Sequence, residues 1–447
     1  MAAQEWPSLE LELTSFDGGV RREARVLRPD RYRFWDRFPA GAPFIARGGG
    51  YSYAAASFGG GAASIEHAAF DRILDFDSAS GEVRVEAGIT LAALHRFLAR
   101  RGWYLPTQPG YPAITVGGCI AAECHGKNHA KDGCFSRQVK TLELFHPAHG
   151  LMELSREREP DVFELTCGGF GLTGCIVSAV LQPRRLPGNE VTLRSEPLDD
   201  VRGLGPALRA AAREADFVYS WHDFNAGDRA PGLIVRGVIG GEPAPDQDSR
   251  SPPTRWLRWD NRSAWRVPAW NRASATLATA LYRRAVARSR PVKTSLYDSL
   301  FPLQSRGGPY FRLFGAAGFC EFQAIVPEAS FPGFCDAVFA YLRAHPLAIT
   351  LASAKWFEDE SRDLRFSGTG VCFALDFPRG GGADAFQAFL DGLCAEQRLR
   401  PSIIKDSRLP RAVVEKTYPA FGSFAQRLAA FDPERRCRSE LSERLGL

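Results

Sequence analysis

Paired cysteines, long apolar runs and a strong overall charge are all missing from this 447-residue chain. Its ten cysteines, at 119, 124, 134, 167, 175, 320, 335, 372, 394 and 437, include no C-x-x-C pair. That excludes a disulfide scaffold and removes the paired spacing usual in structural zinc sites. The cluster Cys119, Cys124, His125, His129 and Cys134 is flanked by glycines and small residues, so it reads as buried thiols in a shaped loop, and no metal is expected. No run approaches the roughly 18 apolar residues of a membrane helix. The opening MAAQEWPSLELELTSFDGG is acidic and lacks a basic-then-apolar pattern, so a cytoplasmic, non-exported chain is expected. A net charge of +5 does not argue for nucleic acid. What remains is a globular composition, 45% hydrophobic and 24% charged, with a length that predicts two or three domains.

Glycine is plentiful, and its placement carries the first functional signal. One cluster, Gly48 to Gly50, follows the apolar run Phe44, Ile45, Ala46. A second loop covers Gly110 and Thr115–Cys119, and a third is CGGFGLTG at 167–174. Glycines let backbone amides approach an anion closely, and successive amides of this kind hold phosphate. None of the three fits the G-x-G-x-x-G dinucleotide fingerprint, and no P-loop G-K-[ST] is present, so a Rossmann fold and a P-loop are disfavoured. Between the first two loops, RILDFD and EVRVEA read as strands joined at Ser80-Gly81. Thr90 then caps a helix over LAALHRFLARRG, with Leu91, Leu94, Phe97 and Leu98 on one face. After Pro187 the glycine loops stop. Residues 188–400 read as a separate α+β unit with strands at 217–221, 233–238, 320–326 and 372–377 and helices at 203–215, 329–344 and 383–397. Gln323 shares a strand face with Glu321, and that face is expected to be polar and to line a pocket.

The order ARGGGYSY, VEAGITLAALHRFLARRGWYLPTQPG, TVGGCIAAECHGKNH, GGFGLTGCI resembles the FAD-binding domain of the vanillyl-alcohol-oxidase-type (PCMH-type) flavoproteins. HGKNH at 125–129, LDFP at 375–378, KDSR at 405–408 and LSERLGL at 441–447 resemble, within that family, the oxidases of lipid-linked ribose. The resemblance implies a two-domain α+β flavoprotein, with 1–187 plus 401–447 holding FAD and 188–400 forming an antiparallel-sheet substrate domain. It implies oxidation of a sugar secondary hydroxyl to a ketone, on a polyprenylphosphoryl-ribose-like substrate, as the first half of an epimerisation that serves cell-wall polysaccharide precursors. An NAD(P)H-dependent short-chain reductase would be the partner that completes it. A soluble polyol, sugar lactone or natural-product alcohol is the alternative substrate, and a flavin- or lipid-binding protein without turnover is the non-enzymatic alternative.

The resemblance also assigns residues. Ala46, Arg47, Gly48, Gly49, Gly50, Tyr51, Ser52 and Tyr53 would wrap the FAD pyrophosphate. Tyr51 stands where many relatives carry a flavin-linking histidine, which implies non-covalent FAD. Gly110, Thr115, Val116, Gly117 and Gly118 would line the pyrophosphate and ribityl chain. Ala122, Glu123, Cys124 and His125 would follow the flavin, Ile176 would lie near the adenine, and Ser402 would touch the cofactor from a returning strand, PSIIKDSR. Lys405, on that same strand, would sit at the flavin, where a cation stabilises an anionic reduced ring. His125, Gln323, Lys355, Tyr53 and Lys127 would complete the pocket. Two residues ahead of the Asp in LDFP, the resembled enzymes have a cysteine where this chain has Ala374. Cys372 lies two residues away, on the same strand face.

Charge is uneven in one place. From Arg255 to Lys293 there are ten Arg/Lys against a single acid, Asp260, and Trp256, Trp259, Trp265 and Trp270 lie in the same stretch. Cations mixed with tryptophan suit a membrane surface or a polyprenyl phosphate, so segment 250–303 is expected to make peripheral membrane contact.

Overall fold

The structure is a computed structural model that describes residues 7–31, 38, 41–241, 266–287, 291–302 and 310–447. A four-stranded sheet is built from β1 (Ser8–Thr14), β2 (Arg21–Leu27), β3 (Phe44–Arg47) and β4 (Ala63–Glu66) in the order β1-β2-β4-β3. Gly48 to Gly50 follow directly from the end of β3. A five-stranded sheet comprises β5 (Ile73–Phe76), β6 (Val83–Glu86), β8 (Val139–His146), β9 (Gly150–Ser155) and β10 (Cys175–Leu181), ordered β5-β6-β10-β8-β9. The short strand β7 (Trp103–Tyr104) pairs with β11 (Arg184–Arg185). Helix α1 (Leu91–Ala99) starts where the Thr90 side chain accepts the Ala93 amide at 3.3 Å, and it buries Leu91, Leu94 and Leu98. Helix α2 (Val116–Ala121) corrects the expectation of a second glycine loop. Thr115 caps it through the Gly118 amide at 3.2 Å, and a Cβ on Gly117 would lie 2.9 Å from the Cβ of Ala87. The glycines there serve close helix–sheet packing inside a helix.

The remaining eight strands form one sheet: β12 (Glu190–Leu198), β13 (Phe217–His222), β14 (Gly232–Gly240), β15 (Val292–Ser295), β16 (Phe319–Val326), β17 (Leu351–Phe357), β18 (Gly370–Pro378) and β19 (Arg400–Pro401). Their order is β15-β12-β14-β13-β17-β18-β16-β19, and all the pairings are antiparallel. The period of two divides its side chains cleanly. Phe322 and Ala324 of β16, Ala352 and Trp356 of β17, and Phe373, Leu375 and Phe377 of β18 pack in one core with α3 (Leu204–Glu214), α5 (Phe331–Ala344) and α6 (Ala383–Gln397). Between α3 and α5 in the chain runs α4 (Arg272–Ala287). The opposite face of β16, β17 and β18 carries Glu321, Gln323, Lys355, Cys372 and Asp376.

Past β19 the chain does not continue as the expected strand. It turns into a short 3₁₀ segment, Ile403–Lys405. The Asp406 carboxylate takes the amides of Arg408 (2.7 Å) and Leu409 (3.1 Å), an arrangement that closes a turn and ends the ladder. Helices α7 (Arg411–Thr417), α8 (Phe421–Phe431) and α9 (Glu440–Leu445) follow and pack into a core with Ile45 and Leu172. All ten cysteines are free and buried. Among the described residues the compact group of metal-capable side chains is His146, Asp432 and Cys437, away from the Cys119–Cys134 cluster. Asp432 accepts the Cys437 amide at 3.0 Å and lies 3.6 Å from His146. Among the described residues no helix is long and apolar enough to cross a membrane.

Burial holds three histidines neutral. His67, His129 and His222 are each pulled down to about 4, chiefly by loss of solvent. In the unfolded chain they charge below about 6.5. The folded chain therefore binds fewer protons between pH 6.5 and 4, so stability present above that window is lost as pH falls through it. His222, bonded to Ser220 at 3.0 Å, is the test. In His222→Gln the drop in urea midpoint from about pH 7 to about pH 4.5 should be smaller than in the parent chain.

Candidate active site

Antiparallel register decides which groups meet on the polar face of the eight-stranded sheet. Glu321 of β16 stands opposite Asp376 of β18, and Gln323 stands opposite Ala374. Lys355 of β17 stands opposite Cys372. The C-terminal segment closes the edge: the Ser402 amide donates to the Gln323 carbonyl at 2.7 Å, and the 3₁₀ turn then brings Lys405 Nζ to 3.4 Å from Glu321. The same ammonium lies 4.1 Å from the centre of the Tyr53 ring, within cation–π range.

His125 reaches this face from the loop after α2. Its Nε2 faces Gln323 Oε1 at 3.5 Å, and its Nδ1 faces Lys355 Nζ, also at 3.5 Å. Burial, then the charges of Lys355 and Lys405, hold its pKa well below the usual histidine value. A neutral ring fits both contacts, with Nε2–H donating to the amide oxygen and Nδ1 accepting from the ammonium. The structure thus brings Lys405 together with Tyr53, and His125 with Gln323 and Lys355. Lys127 is set apart. Its ammonium donates to the Ser299 carbonyl and lies 4.7 Å from the Tyr219 ring, and burial plus the Lys355 charge draw its pKa down to about 7.

Three further groups belong to the site: Glu321, whose strand face the sequence placed in the pocket, and Asp376 and Tyr310, which the sequence reading did not single out. Asp376 is buried, and burial together with the Glu321 charge pushes its carboxyl well above the usual range. Tyr310 donates to Asp376 Oδ2 at 2.9 Å, while Oδ1 has no partner among the described residues. Glu321 carries the ion pair. The sequence signal for these carboxylates was the alternation of CEFQAIV and CFALDF, each placing its acid on the same face as Gln323 or Cys372. Their facing one another depends on strand pairing, which alternation does not reveal. Burial pushes the Cys372 thiol up to about 12, so it stays a neutral wall.

The turn at Gly48 to Gly50 is the candidate cradle for an anionic cofactor. No protein acceptor takes the amides of Gly48, Gly49 or Gly50 among the described residues. Side chains there would fill the space. A Cβ on Gly48 would lie 2.3 Å from Thr115 Oγ1, and one on Gly49 would lie 2.8 Å from the Ala113 carbonyl. Gly110 opens onto free space. The amides of Val116 and Gly117 are already taken by Ile89 and Ala87, and that of Gly118 by the Thr115 hydroxyl, so α2 offers small surface and no free donors. The buried Ser402 hydroxyl has no partner among the described residues. Arg47 donates to Ser57 at 2.9 Å, and the Ser52 hydroxyl accepts the Ala56 amide, so both brace the loop. Tyr51 packs 4.7 Å from Tyr111. Glu123 has φ 44° and its carboxylate accepts from the Ser136 hydroxyl, and the Cys124 thiol is buried beside Cys119. Ala46 lies in β3, Ala122 ends α2, and Ile176 is buried in β10. Free amides, a glycine cradle and an orphaned buried hydroxyl fit a dinucleotide with a pyrophosphate.

Residues 39–154 match the family model of an FAD binding domain. The chain is 28% identical over 422 residues to the decaprenylphosphoryl-beta-D-ribose oxidase of Mycolicibacterium smegmatis, covering 91% of this chain and 90% of that protein. It is 36% identical to a mitochondrial L-galactono-1,4-lactone dehydrogenase of Oryza sativa, over 27% of this chain and 21% of that protein. It is 33% identical to the L-gulonolactone oxidase of Mus musculus, over 25% of each chain. A Gly48→Val chain should fold yet purify with less than about a tenth of the parent's bound FAD, read from visible absorbance, because the new side chain displaces Thr115 and closes the cradle.

Proposed function

We infer, from an FAD-binding domain that this chain carries, an FAD-dependent oxidoreductase acting on a CH–OH group. Its substrate in this reading is a sugar secondary hydroxyl, oxidised to a ketone, on a polyprenylphosphoryl-ribose-like lipid-linked sugar. The observation that carries the reading is the likeness to the ribose oxidase across 91% of the chain. The two lactone enzymes are matched over only about a quarter of it, at 27% and 25%. Residues 1–187 with 401–447 hold the cofactor and 188–400 cover it. The oxidation is the first half of an epimerisation, and a short-chain reductase using NAD(P)H returns the hydride from the other face.

Bound FAD supplies the hydride acceptor. Gly48, Gly49 and Gly50 give amides to its pyrophosphate, and Ser402 gives its hydroxyl. Tyr51 has no imidazole to link to the ring, so the flavin is held non-covalently. Oxidation of the alcohol releases a proton from oxygen as the hydride leaves carbon. Glu321 is the carboxylate assigned to take that proton, since the pKa of Asp376 opposite it is pushed well above the usual range by burial and by the Glu321 charge, and His125 has both ring nitrogens engaged. Lys405, 3.4 Å from Glu321, neutralises negative charge at the reacting end of the pocket. Lys355, His125 and Gln323 orient the sugar hydroxyls.

An anaerobic visible spectrum tests this reading. Adding polyprenylphosphoryl ribose should bleach the oxidised-flavin band, whereas bleaching only by a lipid-free polyol or lactone would overturn the substrate. Glu321→Gln should slow that bleaching about 10²- to 10³-fold with flavin content unchanged.

A further inference from the structure

Helix α4 is inverted relative to an ordinary surface helix. Its buried positions are Ala275 and Thr279, spaced i, i+4, and they lie against the sheet. The opposite stripe, Ala273, Leu277 and Leu281, faces outward, with Leu277 62% and Leu281 54% exposed. A soluble helix places leucine inward and small or polar residues outward. The reversal is local, because five of the nine large hydrophobic side chains exposed among the described residues are Val267, Leu277, Leu281, Tyr282 and Val292. They share that stretch with Arg272 and Arg284, both exposed, and no acid occurs in the sequence between Asp260 and Asp298. Asn271 begins the helix by accepting the Ser274 amide at 3.0 Å and receiving the Ser274 hydroxyl, so the stripe is presented on an ordered element.

Apolar side chains flanked by Arg272 and Arg284, on a segment whose own sequence carries no acid, are complementary to a surface that is apolar beneath and anionic above. A second copy of the same face would set arginine against arginine. We propose that the outer face of α4 seats on an anionic lipid bilayer, with Leu277 and Leu281 entering the headgroup–acyl boundary and Arg272 and Arg284 meeting the headgroups. The seat is argued from the helix alone and stands apart from the identity of the sugar substrate. The sequence expectation of membrane contact through 250–303 is thereby narrowed to one helix face. Trp256, Trp259 and Trp265 lie outside the described residues.

Flotation of the FAD-loaded chain with vesicles of equimolar phosphatidylglycerol and phosphatidylcholine tests it. The chain should float with these vesicles, and at least about tenfold less with pure phosphatidylcholine or in 1 M salt. Leu277→Glu with Leu281→Glu should lower flotation about tenfold or more while bound flavin stays at parent level. Should that pair fail to fold, the surface variant Arg272→Glu with Arg284→Glu should give the same loss. The proposal is overturned if the parent chain fails to float with the anionic vesicles, or if a folded variant floats as well as the parent. It is equally overturned if sedimentation shows a dimer that the leucine variant dissociates, which would assign the face to a second copy.

Discussion

The ion pair between Lys405 and Glu321 is the contact on which the site's other charges depend. A charge taken out of water stays charged only when another group compensates it. At 3.4 Å each of these two compensates the other. The neighbours show what happens without such a partner. Asp376, across the ladder from Glu321, is pushed up by burial and by the Glu321 charge, and Lys355 and Lys127 are pulled down by burial. The pair also ties the last segment of the chain to the sheet edge, since Lys405 follows two residues after the Ser402 amide bonds the Gln323 carbonyl. Removing Lys405 would leave the buried Glu321 without this cation, and removing Glu321 would leave Lys405 over the Tyr53 ring without this carboxylate.

The eight-stranded sheet makes this arrangement affordable in structural terms. Its period of two lets one set of strands do unrelated jobs on two faces. Phe322, Phe373 and Phe377 secure the strands against α5 and α6, so Glu321, Cys372 and Asp376 between them are placed by packing on the far side. Groups set on strands in this way are positioned more tightly than groups on loops. His125 and Tyr53, by contrast, come from loops of the glycine-bearing half. His125 is held by contacts to the strands, against Lys355 and Gln323, and Tyr53 by Lys405 of the 3₁₀ turn at the sheet edge.

Much of this was legible in sequence wherever one local rule decides. Thr90 with its leucine face predicted α1, and the alternation around Gln323 predicted both the strand and its polar side. The strand β17 was passed over because LASAKWF interrupts its apolar pattern with Lys355, the residue that the pocket needs. Gly117-Gly118 read as a loop because glycine disfavours helix, whereas here close approach to Ala87 requires it. The 3₁₀ turn at Lys405 depends on Asp406 capturing two amides, a local competition that the resemblance to a strand concealed. The Glu321–Asp376 meeting and the bond from Tyr310 depend on pairing over tens of residues, for which neither propensity nor period carries information.

The comparisons differ in how much of the chain they cover. Likeness to the lactone enzymes is confined to about a quarter of the chain, whereas likeness to the ribose oxidase extends over 91% of it, through the strands that carry the polar face. A shared cofactor domain constrains the redox chemistry, and the substrate is selected by the surface facing it. On that surface position 374 is alanine, opposite Gln323, so nothing larger than a methyl group fills that part of the face. The nearest thiol, Cys372, stands opposite Lys355 and is held neutral by burial. A neutral thiol there is a poor nucleophile and a good apolar wall. Ala374 and Gln323, facing one another across the ladder, are therefore the positions on this face where side-chain size and reach differ most.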